Sequence, residues 1–196
     1  LVTGGIIQVF RFAIEWPGDF WLGNHEYFES LAPDSRFVLV LFGALSLGLF
    51  LQFVVRKPGT IGLLHVVQHL NKHHGRLPVK GLILQFVVGV WTILSGQSSG
   101  REGPAVHLGA ASSSLLGQYW KLPSNSLRVL TGCGSAAAIA ASFNTPIAGV
   151  IFAMEVIMME YSIMGFIPVM LSASAGTLIS RMVYGAEPAF IIPPLA

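Results

Sequence analysis

Charge is what this chain lacks most: of 196 residues only 10% are Asp, Glu, Lys or Arg, against 53% hydrophobic ones, and the net charge is +2. So little charge excludes an ordinary water-soluble surface and places the chain in a membrane. No run of Lys and Arg interleaved with aromatics exists to grip phosphates, which excludes nucleic acid as a partner. Cysteine occurs once, at Cys133 within a run of small residues. An internal disulfide is therefore impossible, the redox compartment stays open, and the thiol is expected to pack as a small apolar group. Also missing is a basic segment leading into a short apolar core and a small-residue cleavage site, so no signal peptide is visible, and the chain reads as a piece of a longer protein.

Long uninterrupted apolar runs are scarce as well. Phe37 to Val55 is uncharged and long enough to cross a hydrocarbon layer of roughly 30 Å, as is Ser162 to Ser180. Elsewhere apolar segments are cut by Pro58-Gly59, Pro78, the Gly96 to Pro104 stretch, Pro123 and Asn144-Thr145-Pro146. The last of these predicts two half-length helices between Val129 and Met154. "GGIIQVFRFAIEW" has helical spacing and is expected to break at Pro17-Gly18, with a loop or interfacial segment following to Arg36. Backbone broken at membrane depth is tolerated only where protein, water or a ligand satisfies it, so short helices point to a binding site. Arg56, Lys57, Lys72, Arg76 and Lys80 lie together after the first clear span, which places that region on the cytoplasmic side.

"GQSSGREGPAVHLG", Gly96 to Gly109, carries two signatures. Its first five residues match the G-x-S-x-G elbow of a serine hydrolase, which would use Ser98 as nucleophile with His107, but an elbow needs a strand before the serine and a soluble α/β setting. The alternative is an anion site. Pro104 suits the first turn of a helix, and the amides before it then point outward from a terminus carrying about half a positive charge. Glu102 sits on that terminus, where its carboxylate can fill the anion's place when charged and vacate it when protonated, acting as a gate. His65, His69 and His73 fall at i, i+4, i+8; they offer a metal site, against which Lys72 and Arg76 favour an interfacial polar face. His107 is expected to hydrogen-bond a neighbouring helix, and Met154, Met158 and Met159 to form packing or lipid-facing surface.

"GREGPAVHLGA" followed by "SFNTPIAGVIFAMEV" resembles the CLC family of chloride channels and proton-coupled chloride transporters, in order and separation, and the resemblance extends to "GRLPVKGLILQF" and "TLISRMVYG". It implies an all-α integral membrane protein of seven or eight helices, several half-length. Residues 1–196 would then be one transmembrane region, the first of two inverted repeats, with the second absent from this chain. It further implies a homodimer in the lipid bilayer with one anion pathway per protomer, in a cell (inner) membrane. The function would be chloride transport without enzymatic chemistry, metal or cofactor, chloride being the substrate. Glu102 would be the gate, and the amides of Gly100, Arg101, Glu102 and Gly103 one anion site. A second would form where the family has Gly-Ser-Gly-Ile-Pro; here "PGTIGLLHVV" places Thr60, Ile61 and Gly62, with Ile61 or Thr60 at the hydroxyl position. Proton-coupled members carry a second acid where this chain has Val156, so uncoupled, channel-like passage is expected, with the proton-coupled antiporter as alternative. Glu155 would face another surface and Glu160 reads as a solvated helix-end acid.

Overall fold

The computed structural model describes residues 1–22, 32–54, 61–160 and 162–185. Among them are eight α-helices: α1 Val2–Leu22, α2 Pro33–Val54, α3 Leu63–Lys72, α4 Val79–Leu94, α5 Glu102–Tyr119, α6 Ser124–Phe143, α7 Pro146–Phe152 and α8 Ile163–Tyr184, with α7 prolonged by a π-helical turn, Ala153–Met158. Helices are the only open segments whose backbone groups can all be paired without water, which is why so apolar a chain forms them.

Three helices are long and apolar enough to span a bilayer, Asp34–Val54, Ser124–Phe143 and Gly165–Tyr184. By contrast α3 has ten residues, roughly 15 Å of rise, which is half a hydrocarbon layer. The chain is an integral membrane protein built from full-length and half-length helices.

Packing centres on α6. It crosses α5 where two glycines meet: a Cβ on Gly109 would clash with the carbonyl of Gly134 and come within 2.5 Å of Ala138 Cβ. Small residues thus let two backbones touch, in a solvent where close contact and not hydrophobicity drives association. Cys133 is buried here, beside Ala136, Ile139, Val106 and Ala110, in a core that also takes Val66 and Leu70 of α3 and Met154, Ile157 and Met158. A second core joins Ile7, Phe10 and Ile14 of α1 to Ala105, Leu108 and Ala138. α2 stands apart, touching α4 through the Phe50–Trp91 stack and leaving Phe37, Phe42, Leu45 and Phe53 exposed.

Several local expectations need correction. α1 runs through Pro17 to Leu22; the proline removes one backbone bond but does not end the helix. The segment expected as a loop to Arg36 begins and ends in helix, and residues 23–31 lie outside those described. The chain does break at Asn144-Thr145, with Asn144 left-handed at φ 55° and its Oδ1 accepting from Arg181 Nε at 2.8 Å. Only the second of the two resulting helices is short, since α6 has 20 residues. Met154 and Met158 are buried packing groups, whereas Met159 is exposed.

Candidate functional site

The loop entering α5 is set by how α4 ends. Gly96, at φ 68°, closes α4 with Gly96 N–H donating to Ile93 O at 3.0 Å and Gln97 N–H to Thr92 O at 3.3 Å. That pattern is a Schellman cap, which needs a left-handed residue. The turn glycine is therefore Gly96 and not Gly100, and the G-x-S-x-G sequence is the exit of a helix, with no strand before Ser98. Ser98 is exposed. His107 is fully buried, bonded at Nε2 to His65 Nδ1 at 3.0 Å and without a partner at Nδ1. Ser98 and His107 do not pair, and nothing supports a serine hydrolase.

α5 begins at Glu102, with Arg101 preceding it and no side chain capping the terminus. Ala105 N–H is the first to find a backbone acceptor, Arg101 O at 3.0 Å. Among the described residues no acceptor meets the amides of Gly100, Arg101, Glu102 or Gly103. These are the orphan donors of a helix start, concentrated where the dipole is positive. The Glu102 carboxylate folds back over this end: a Cβ on Gly100 would overlap Oε2 and lie 3.0 Å from Cδ. Only a glycine leaves room for the acid there.

The N-terminus of α3 differs. Gly62 precedes it at φ 88° with no side-chain cap of its own, a backbone conformation that glycine adopts without strain. Its N–H donates to Gln85 Oε1 at 2.7 Å, and Gln85 is buried. Ile61 and Gly62 are half-buried, while Thr60 lies outside the described residues.

α4 relates the two ends. Gln85 reaches Gly62, and a Cβ on Gly89 would lie 3.1 Å from Pro104 in the first turn of α5. Residues four apart share a helix face, roughly 5–6 Å from each other. The N-termini of α3 and α5 therefore rest on one face of α4, a turn apart. Gln85 was missed by sequence reasoning, because nothing in a lone glutamine within an apolar run marks it beyond its cost in a membrane.

The remaining candidates are placed as follows. His65 is buried against His107, not on an interfacial face as expected, while His73 is exposed. Val156 is half-buried and packs on the main core. Glu155 is exposed, and exposed Glu160 pairs with Arg128 at 3.2 Å.

Known proteins agree with this architecture. A family model described as voltage gated chloride channel matches residues 42–196. A ClcB-like protein of Ralstonia nicotianae is 28% identical over 163 residues, 81% of this chain and 38% of that protein. The H(+)/Cl(-) exchange transporter ClcA of Vibrio cholerae is 31% identical over 120 residues, 60% of this chain and 25% of that one. The crystal structure of a CLC-type fluoride/proton antiporter superposes with a TM-score of 0.75 at 26% identity, over all of this chain and 47% of the other. The chain thus spans less than half the length of these proteins. The family-model match over residues 42–196 establishes that the chain belongs to the voltage gated chloride channel, or CLC, family.

Proposed function

We propose that the protein carries chloride, or a similar small monovalent anion, across a membrane. The anion is held by the amides of Gly100, Arg101, Glu102 and Gly103, with Thr60, Ile61 and Gly62 at the head of α3 as a second station. The observation that carries this reading is the meeting of two helix N-termini on one face of α4, one with four unmet amides and the other with its Gly62 amide met only by the neutral Gln85 side chain. Such an end stabilises an anion without a full countercharge, so the ion is held and still leaves. Glu102 is the gate: its charged carboxylate occupies the same end and yields it when protonated or outcompeted. No bond is made or broken, no cofactor is needed, and the protein is not an enzyme.

Residues 1–196 act as the first repeat of a protomer completed by a second, inverted repeat, and two protomers pair in the lipid bilayer of a cell (inner) membrane. Transport is uncoupled from protons, because Val156 cannot titrate and packs into the core, while the neighbouring acid, Glu155 of the π-helical turn, is exposed and does not share that packing. Proton-coupled exchange is the second reading, favoured by similarity to the Vibrio exchange transporter and the fluoride/proton antiporter. Full-length protein reconstituted in vesicles is expected to show selective chloride efflux, with a reversal potential indifferent to an opposing pH gradient. A potential that follows that gradient in fixed stoichiometry means exchange, and no anion efflux refutes transport.

A further inference from the structure

Four imidazoles form a line that anion passage does not use. His107, fully buried on α5, meets buried His65 of α3 at 3.0 Å. His69 lies over His65 with ring centroids 4.0 Å apart, and His73 follows at 4.8 Å. The line opens into a recess of about 530 Å³ bordered by His69, Lys72, His73, His74 and Arg76. It runs from the charge-poor interior to a basic, wet surface.

We propose that the His65–His107 pair is a proton-binding site, filled from the Lys72–Arg76 side past His73 and His69, whose bound proton strengthens anion binding at the N-termini of α3 and α5. This rests on the reading of those termini as anion stations.

Hydrogen bonding limits what the pair can hold. A bond between two ring nitrogens needs a lone pair on one of them, so the pair is neutral or carries one added proton, never two. With one added proton both outer nitrogens, His107 Nδ1 and His65 Nε2, carry hydrogen. Because His107 Nδ1 is buried without a partner, the added proton enters at His65 Nε2. The neutral pair that accepts it is the one with Nδ1–H already on His107 and His65 Nδ1–H donating to His107 Nε2. Beyond it, His69 donates Nδ1–H to the His65 carbonyl at 3.1 Å, so Nε2 is the basic nitrogen His69 has free to pass protons inward.

Position makes the charge matter to an anion. His65 is three residues into α3 from Gly62, and His107 five residues into α5 from Glu102, or roughly 4.5 and 7.5 Å along the axes. Other charges do not cancel it. Glu102 on α5 lies at the terminus itself, Glu155 of the π turn packed on α3 is exposed, and Lys72 on α3 and Lys80 on α4 are cationic and exposed. On α6, Arg128 is paired with Glu160 and Cys133 is apolar packing, while on α1 Arg11 is paired with Glu15. Among the described residues no carboxylate bonds any of the four rings. The counterion available to a protonated pair is therefore whatever holds the α5 terminus, the Glu102 carboxylate or, once that is removed, the transported anion.

Full-length protein carrying Glu102→Gln, which removes the gate's own titration, supplies the test. Chloride binding followed by calorimetry at pH 7.5 and 4.0 is expected to tighten roughly fivefold or more in acid. Adding His107→Gln, or His65→Asn should the first variant fail to fold, is expected to flatten that change. Tightening that persists in a folded histidine variant overturns the proposal. Chloride that binds at neither pH refutes the anion reading instead, and ¹⁵N-histidine NMR then decides the pair. One proton taken up by two rings sharing a hydrogen supports the site, and ring signals unmoved between pH 8 and 4.0 overturn it.

Discussion

The two helix ends that meet on α4 are built differently. At the head of α5, four consecutive amides lack acceptors and the acid that lies over them comes from the same turn of helix. At the head of α3, one amide is already met by a side chain from another helix, Gln85. A site closed by its own flexible carboxylate opens by protonation or side-chain movement alone. A site closed by a buried carboxamide opens only if α4 or the glutamine gives way. On the proposed anion reading, the first is a gate and the second a fixed station with a neutral ligand.

Removing the acid breaks this contrast most severely. Glu102→Ala is expected to tighten chloride binding on the order of tenfold, since a tethered competitor acts at high effective concentration, and to remove the part of its pH dependence that comes from the gate's own titration, leaving the part assigned to the His65–His107 pair. The sign follows from charge: acid that protonates the carboxyl brings the native protein towards the variant. Gly100→Ala acts in the same direction but less, severalfold, because its Cβ claims the space of the carboxylate without removing the charge. Binding calorimetry across pH separates the two.

At the other end the expected effects are smaller and do not depend on the titration of Glu102. Gln85→Leu leaves the Gly62 amide unmet, lowering stability by about 1–3 kcal/mol and offering that amide to chloride; thermal unfolding with and without chloride measures both. Ile61→Ser supplies a hydroxyl and is expected to tighten binding by about two- to tenfold, the worth of one hydrogen bond. Ser98→Ala, on the exposed loop, is expected to change neither flux nor labelling by a fluorophosphonate probe, which should be absent in both proteins.

The same two ends show what a sequence can disclose. The α5 terminus was legible because its glycines, acid and proline are contiguous, and each acts through local backbone chemistry. The α3 terminus was only half legible: its glycine stands in the right place, but its hydrogen-bond partner is 23 residues away. His65, His69 and His73 announced a helix face by spacing alone, yet spacing does not say what that face meets. His107, 42 residues from His65, turns it into buried structure. Pro17 misled for a related reason, since a local breaking rule yields when one lost bond is outweighed by packing of Ile7, Phe10 and Ile14 on α5 and α6. Asn144-Thr145-Pro146 broke the chain as read, because a left-handed residue followed by proline stops a helix in most surroundings, but the helix before it is full length, not half.

The central claim is that an anion and the Glu102 carboxylate compete for one helix end. Anomalous diffraction from bromide-soaked crystals of the full-length protein tests it most directly, comparing native protein at neutral pH with Glu102→Gln under the same soak. A bromide peak within hydrogen-bond reach of the Gly100, Arg101, Glu102 and Gly103 amides is expected in the variant and weak or absent in the native protein. Equal peaks in both proteins, or none at those amides in the variant, would contradict it.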